Sequence, residues 1–299
     1  MTMITQDKAK RFYELTSSTL NNIAESHNVK DINAYYELTD FNTKIKLGRC
    51  IDKLGRNSIE SVFAQMAFHA QNATLISNIV DFENKIDFLI NALCGFDPNK
   101  FLTKYKNVKS VVEALRYDAV NNPEGLKWND KKNKTARKDS LITGYAQALT
   151  ECAKYLSDFR DREAVLNQLK SNYKDETDYK NLIEAFHKQI PHRFSIALTC
   201  DFLKEFDEEF SFLCKPDVHI KDTLCVLLNK GEDYYRTSKR EYECIGEMQE
   251  LIELINIGEE KKITVYQLDR MIWLICSEKF FLDGIISAKN EYLNKTFML

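Results

Sequence analysis

The sequence predicts a mostly helical, all-α protein, and three features of its composition and pattern support this prediction. The chain of 299 residues contains 9 Gly and 4 Pro, whereas average usage would give roughly 36 of these two residues together. So few helix breakers leave little room for a β-rich or loop-rich fold. Apolar residues recur at helical spacing almost throughout, and the few breakers fall between the periodic segments.

Each predicted helix follows a stretch of helical periodicity and ends at a breaker or a polar stretch. The first helix, residues 5–26, carries an apolar stripe that includes Phe12 and Leu20. Gly and Pro within residues 94–98 stop one helix and restart the next, and the polar stretch 121–139 is expected to be a mobile surface loop. Further helices are predicted near residues 31–54, 58–71, 74–80, 81–92, 109–120, 140–159, 163–169, 179–189, 194–206, 218–228, 241–256, 264–276 and 278–293.

Charge and cysteine usage exclude several classes of protein. The net charge of −3 excludes a globally basic nucleic-acid coat. The N-terminus lacks the apolar region of a signal peptide, and no stretch approaches the roughly 20 apolar residues of a membrane span, so we expect a cytoplasmic protein without a membrane partner. No two cysteines form a Cys-x-x-Cys pair, which argues against zinc or iron–sulfur ligation and favours buried free thiols. The eight cysteines are Cys50, Cys94, Cys152, Cys200, Cys214, Cys225, Cys244 and Cys276.

A helix–turn–helix hairpin and the helix that follows it form the segment most suited to chemistry. Pro191 separates two periodic segments, 179–189 and 194–206, and Asp217 follows Pro216 at the start of the next helix. In isolation Asp217 is a typical helix N-cap, and His219 close behind it is an ordinary, partly buried histidine. Trp273 lies among apolar neighbours, so we expect it in the core.

Five segments of the chain resemble segments of the helix-hairpin-helix DNA glycosylase superfamily, the base-excision enzymes related to endonuclease III, and they occur along the chain in the same order as in that family. Residues 190–198 are similar to the Leu-Pro-Gly-x-Gly-x-x-x-Ala hairpin, and residues 216–220 are similar to the segment that carries the catalytic aspartate. Residues 268–274 resemble the Asp-x-x-Leu-Trp-Leu helix, 69–74 the Ser-Gln-Gln-Thr-like turn of the lesion pocket, and 94–98 a Phe-Asp-Pro-like break. Together they extend over about residues 58–285.

The chain departs from this family at three places. His192 and Phe194 replace the two hairpin glycines, although a turn that offers backbone N–H groups to phosphate favours Gly where φ is positive. Ile196 stands where bifunctional members have a Schiff-base lysine, and no cysteine follows Cys276 to ligate an iron–sulfur cluster. The resemblance therefore implies a monofunctional enzyme without cofactor or metal, in which His192 and Arg193 side chains could replace the backbone phosphate contacts.

The resemblance also implies roles for single residues. Asp217 would be the catalytic carboxylate, and the helix N-terminus is expected to favour its ionised form. Gln71 would fill the gap left by a flipped base, with Asn72 beside it; alternatively Gln71 simply caps the preceding helix. His219 and Lys221 would contact DNA at the start of the Asp217 helix.

A basic stretch offers further DNA contacts. Residues 127–139 carry six Lys and Arg against two Asp, a local net charge of +4, and a local patch suffices for a net acidic protein to bind DNA. A solvated loop without a partner is the alternative. The predicted contacts in this stretch are Trp128, Lys131, Lys132 and Lys134.

We therefore expect a two-lobed helix-hairpin-helix glycosylase-like fold without an iron–sulfur cluster. Residues 58–213 would form a six-helix lobe with the hairpin, and residues 1–57 would join 214–299 in the second lobe. The expected function is that of a monomeric DNA glycosylase that flips a damaged or modified base out of double-stranded DNA, in repair or in defence against modified phage DNA. The alternatives are a non-catalytic helical DNA-binding or partner-binding module, and a helical enzyme acting on a small metabolite.

Overall fold

Helices form the structure wherever the chain is described. The computed structural model describes residues 4–26, 48, 50–72, 80–82, 84–127, 141–277 and 288–299. Within these ranges there is no β-strand, and three isolated bridges pair short backbone segments. The predicted all-α class is therefore confirmed.

Several predictions fall on residues outside the described ranges. They are the helix at 74–80 except its last residue, most of the helix at 31–54, the first part of the helix at 278–293, and the loop residues Trp128, Lys131, Lys132 and Lys134.

The described helices, in chain order, follow the predicted periodic segments. They are α1 (Gln6–Ser26), α2 (Ile59–Gln71), α3 (Ile86–Ala92), α4 (Pro98–Lys104), α5 (Val108–Leu115), α6 (Leu141–Leu156), α7 (Arg162–Lys170), α8 (Tyr179–Gln189), α9 (Ile196–Phe206), α10 (Val218–Leu227), α11 (Ser238–Ile255), α12 (Val265–Ser277) and α13 (Lys289–Phe297). Short 3₁₀ turns at Cys94–Phe96, Glu176–Asp178 and Glu208–Phe210 connect some of them.

The chain forms two compact units, and the second of the two boundaries between them falls within α9. The first unit comprises Met1–Asn42 and Leu203–Leu299, and the second comprises Thr43–Phe202. The sequence prediction places the corresponding boundaries at residues 57/58 and 213/214.

In the second unit, α2 occupies a central position, and ten of its 13 residues are buried. Ser58 caps the helix, since its Oγ accepts a hydrogen bond from the Ser61 N–H at 3.1 Å. Phe63 is fully buried, and its ring meets Phe96 and Phe101 edge-on, with centroid distances of 5.8 and 5.4 Å. Helix α6 packs along α2 and completes this core.

In the first unit, α1 packs against α11, α12 and α13. Phe12 is fully buried, and Thr16 and Tyr292 share a hydrogen bond of 2.9 Å between their hydroxyl groups inside the core. Helix α10 packs against α12 and α13. This packing fixes the start of α10, where Asp217 lies.

The helix predicted at residues 109–120 ends at Leu115, so its last turn is wrong. Leu126 returns to the helix end and donates its N–H to the Leu115 carbonyl at 2.7 Å. The Asn122 side chain donates to the Arg116 carbonyl at 2.7 Å. These bonds satisfy carbonyl groups that would otherwise continue the helix.

None of the helices in the described part of the chain combines the length and apolar character needed to cross a membrane.

All eight cysteines lie within the described ranges as free thiols. Seven are buried, as predicted, and Cys94 is half-buried.

Candidate active site at the start of helix α10

Asp217 defines the start of α10 because its side chain caps the helix. Its Oδ1 accepts hydrogen bonds from the backbone N–H groups of His219 at 2.9 Å and Ile220 at 3.3 Å. Its backbone is extended, with φ −86° and ψ −176°, as is usual for an N-cap residue. The capping aspartate predicted from local sequence is therefore confirmed, and its catalytic role stays a prediction.

The Asp217 carboxyl group is half-buried, and its pKa is raised above the usual value for aspartate. Burial is the largest cause, and the negative charge of Asp269 adds to it. Lys215, His219 and the hydrogen bond from Ile220 act in the opposite direction by stabilising the anion. The helix N-terminus favours the ionised form as expected, through the hydrogen bond from the Ile220 N–H, but burial and Asp269 outweigh this contribution and the pKa is raised.

Asp269, in α12, pairs with Lys204, in α9. The Lys204 Nζ donates to the Asp269 Oδ2, and both side chains are 2% exposed. The same oxygen accepts the backbone N–H of Lys215 at 2.8 Å. The Lys204 ammonium also lies 5.3 Å from the ring centroid of Tyr266, within the range of a cation–π interaction. A buried ion pair thus contacts the segment that leads into Asp217.

Sequence reasoning missed this pair. The sequence pattern places Asp269 only within residues 268–274, the segment similar to a family helix, and it assigns no role to Lys204. The signal that could have found them is a charged residue on the apolar side of a helix, as with Lys204 directly after Phe202 and Leu203. A charge in such a position needs a partner if the helix is buried.

The two DNA contacts predicted on α10 have different surroundings. His219 is half-buried, burial lowers the pKa of its imidazole, and its Nδ1 has no hydrogen-bond partner among the described residues. Lys221 donates from Nζ to the Glu241 Oε1 at 2.5 Å, and its side chain is 17% exposed. Lys221 therefore neutralises a carboxylate of its own unit, and its contact with DNA stays a prediction.

The helical hairpin consists of α8, the turn at residues 190–195, and α9. The left-handed backbone conformation falls on Arg193, with φ 67°, and not on His192 or Phe194, which stand at the family's glycine positions. Phe194 is fully buried, and its ring centroid lies 5.4 Å from that of Phe186. The turn therefore has an aromatic anchor where the resemblance leads us to expect glycine.

The side chains of His192 and Arg193 make contacts within their own unit. The His192 backbone N–H donates to the Glu151 Oε2 at 3.0 Å, and its ring Nδ1 pairs with the Oε1 of the same carboxylate. The Arg193 Nη2 donates to the Leu141 carbonyl at 3.0 Å, and its guanidinium packs against Gly144. A carboxylate beside the turn repels phosphate. Phosphate binding by His192 and Arg193 stays a prediction.

Gln71 and Asn72 lie at the end of α2. Gln71 is 4% exposed, and its Oε1 accepts the Phe82 N–H at 3.2 Å. Asn72 is exposed, and its N–H donates to the His69 carbonyl at 3.0 Å. A gap-filling side chain has to enter the duplex, so the buried contact of Gln71 favours a structural role, with Phe82 as the partner.

Trp273 is half-buried, which corrects the expectation that it is a core residue. The Arg270 guanidinium carbon lies 5.5 Å from its ring centroid, and Arg270 also pairs with Glu205, with 3.7 Å between Nη1 and Oε1. Trp273 follows Asp269 by one helical turn in α12. Trp273 is thus partly accessible on the helix that carries the buried Asp269 carboxylate.

The predicted site residues fall into two groups. Asp217, His219 and Lys221 share the first turn of α10 in the first unit, where Asp269 contacts the preceding segment. The second unit carries Gln71, Asn72, His192 and Arg193.

Comparison with protein-family models, with curated proteins and with solved structures finds no match. The described residues contain no group of three or more His, Cys, Asp or Glu side chains placed to hold a metal ion. Function is therefore inferred from the geometry at the start of α10.

Proposed function

We propose that this chain is a monofunctional DNA glycosylase that hydrolyses the N-glycosidic bond of a damaged or modified base flipped out of duplex DNA. The observation that carries the proposal is the half-buried carboxyl group of Asp217, held by two backbone N–H groups and raised in pKa by burial and by Asp269. Ionisable groups with strongly perturbed surroundings concentrate at functional sites. The all-helical architecture in two compact units is compatible with the two-lobed fold of the helix-hairpin-helix glycosylases.

The chemistry suits this carboxyl group. Breaking an N-glycosidic bond places positive charge on the deoxyribose ring in the transition state. An ionised Asp217 stabilises that charge more than it stabilises the neutral substrate, so it lowers the barrier. The anion is less stable in this half-buried site than in water, and a developing positive charge relieves this loss. Because the pKa is raised, base release should decline on the acidic side at a higher pH than for an ordinary aspartate.

Ile196 supports hydrolysis without a lyase step. It stands where the bifunctional members have the lysine that attacks the sugar, and a hydrocarbon side chain cannot form a Schiff base. Lys204, in the same helix, is 2% exposed and paired with Asp269. Borohydride should therefore trap no covalent complex between the protein and DNA.

The decisive experiment is a base-release assay with Asp217→Asn. Duplexes that carry different oxidised, alkylated or hypermodified bases are incubated with each protein, and abasic sites are then cleaved with alkali. We expect the wild type to release at least one of these bases and the variant to be slower by about 10²–10³-fold, the usual effect of removing one group that stabilises transition-state charge.

The stability of the variant separates catalysis from helix capping. Asparagine caps a helix about as well as aspartate. Since the pKa of Asp217 is higher in the folded than in the unfolded chain, ionisation lowers the free energy of unfolding of the wild type as pH rises through that pKa. At pH 7 Asp217→Asn should therefore be at least as stable as the wild type. Base release that survives the substitution unchanged, or is absent from the wild type on every duplex, would contradict the proposal.

A second candidate is a non-catalytic module that binds DNA or a protein partner. The replacement of both hairpin glycines, by His192 and Phe194, favours this candidate, whereas the retained segment 216–219 favours the glycosylase. This candidate predicts salt-dependent DNA binding without base release from any duplex.

A further inference from the structure

The turn before α10 is held from two directions. The Asp217 N–H donates to the Lys215 carbonyl at 2.6 Å, which closes a tight turn around Pro216. The Lys215 N–H donates to the Asp269 Oδ2 at 2.8 Å. One carboxylate of α12 thus binds the backbone of the three-residue segment that ends at Asp217.

Asp269 is itself fixed in place. It is 1% exposed, and the ammonium of Lys204 donates to the oxygen that also accepts the Lys215 N–H. A buried ion pair of this kind holds its geometry because either partner alone would be strongly unfavourable. The position of the turn therefore depends on side chains of α9 and α12.

The charged and titratable groups that act most strongly on Asp217 come from three elements. Asp269 in α12 raises the pKa of Asp217, whereas Lys215 in the turn and His219 in α10 lower it. His219 in turn is influenced by Asp222 and Lys289, which form an ion pair of 2.8 Å. Among the three charged groups named for Asp217, Asp269 is the one with a negative charge. A single substitution therefore removes this contribution to the raised pKa.

We propose that Asp269 is a positioning residue for Asp217: it holds the turn that carries the catalytic carboxyl group and places a second negative charge near it. The inference rests on the proposed glycosylase function. Lys204 offsets part of the Asp269 charge, but Asp269 still raises the pKa of Asp217, so it adds negative potential at the site and favours a developing positive charge. Asp269 would therefore contribute to the rate without touching the substrate.

The primary test is a direct titration of Asp217 by ¹³C NMR of protein labelled at the aspartate carboxyl carbons. The Asp217 signal is assigned from its loss in Asp217→Asn. Asp269→Asn keeps an oxygen that can accept the Lys215 N–H but removes the charge. We expect the pKa of Asp217 to fall in this variant and to stay above the usual aspartate value, because the contribution of burial remains.

A matched control uses the neighbouring ion pair between the same two helices. Glu205→Gln removes a negative charge whose Oε1 lies 3.7 Å from the Arg270 Nη1 and which is not among the main causes of the raised pKa of Asp217. It should leave the titration unchanged. If Asp269→Asn folds poorly because Lys204 loses its counter-charge, the double variant Lys204→Met, Asp269→Asn removes both charges. The pKa of Asp217 should then fall by less than in Asp269→Asn, because the Lys204 ammonium, which favours the Asp217 anion, is removed as well.

Kinetics supply the second readout. On a duplex that the wild type processes, Asp269→Asn should lower kcat about tenfold with KM within about twofold, the pattern of a contribution made in the transition state. The acidic limb of the pH profile should move to lower pH, a change that a purely structural role would not produce.

The outcomes separate the two proposals. An Asp217 titration that is unchanged in both Asp269 variants, or that moves equally in Glu205→Gln, would overturn the positioning role. A titration that moves only in the Asp269 variants supports the link between the two carboxyl groups without reference to activity. If the wild type then releases no base from any duplex, it is the glycosylase function that fails.

Discussion

The start of α10 and the turn of the hairpin use their polar side chains in opposite ways. At the start of α10, burial and Asp269 raise the pKa of Asp217, and His219 keeps a ring nitrogen without a partner among the described residues. At the hairpin turn, His192 and Arg193 are each held by a contact within their own unit. The first region retains an electrostatic arrangement that stability alone does not require, whereas the second resembles ordinary structural packing. Function is therefore more strongly indicated at Asp217 than at the hairpin.

The largest expected effect is on the free energy of unfolding, when the buried ion pair between Lys204 and Asp269 is broken. Lys204→Met leaves the Asp269 carboxylate buried without its counter-charge and should lower the free energy of unfolding by about 3–5 kcal/mol. Adding Asp269→Asn removes the uncompensated charge and should recover part of this loss. Denaturant unfolding of the single and double variants measures both effects.

A surface pair in the same unit is the control for this prediction. The Lys10 Nζ lies 2.7 Å from the Glu259 Oε1, and the two side chains are 34% and 49% exposed, respectively. Lys10→Met should change stability by less than about 1 kcal/mol. Equal effects of Lys204→Met and Lys10→Met would mean that the buried pair contributes no more than a surface pair.

An intermediate effect is expected at Gly144, which lies against Arg193. A Cβ at Gly144 would be 2.6 Å from Nε and Nη2 of Arg193, so Gly144→Ala must displace the guanidinium from the Leu141 carbonyl. Losing that charged hydrogen bond should outweigh the gain in helix propensity, for a net destabilisation of about 1 kcal/mol.

The background variant Arg193→Ala reverses the sign of this prediction. Without the guanidinium, Gly144→Ala should stabilise the protein by up to about 1 kcal/mol through helix propensity. A double-mutant cycle from thermal or denaturant unfolding measures the difference. An identical effect of Gly144→Ala in both backgrounds would contradict the structural role assigned to Arg193.

The smallest expected effect concerns DNA binding at the hairpin. Glu151→Gln removes the carboxylate that holds His192 and should raise the affinity for duplex DNA about two- to fivefold at low salt if the turn faces phosphate. Glu184→Gln removes the same charge from an exposed position of α8 and is the matched control. Fluorescence anisotropy at several salt concentrations measures the DNA affinity of the two variants. Equal affinities of Glu151→Gln and Glu184→Gln would mean that the hairpin has a structural role only.

The sequence predicts most helices because burial of an apolar stripe dominates their formation. Helices α1 and α12 lie close to their predicted ranges. Local side-chain and backbone bonds override the pattern elsewhere, as at Asn122 beyond α5 and at Asp81, whose φ of 45° delays the start of α3 to Ile86. Such bonds depend on contacts that periodicity does not describe.

The candidate site is predictable only in part. The capping role of Asp217 follows from its neighbours in sequence, since an N-cap is a local structure. The direction of its pKa shift depends on burial and on Asp269, which belongs to another helix. The partner of Asp269 is Lys204, 65 residues away, and no local signal links the two. Long-range electrostatics is thus what the structure adds.

The distribution of thiols has a practical consequence for experiments on this protein. The second unit contains Cys50, Cys94, Cys152 and Cys200, and the first contains Cys214, Cys225, Cys244 and Cys276. Burial raises the pKa of several of them, to about 12 for Cys50 and about 11 for Cys276, so they react slowly with alkylating reagents while folded. Mass spectrometry of peptides alkylated over time would therefore report the opening of each unit separately, without any engineered label.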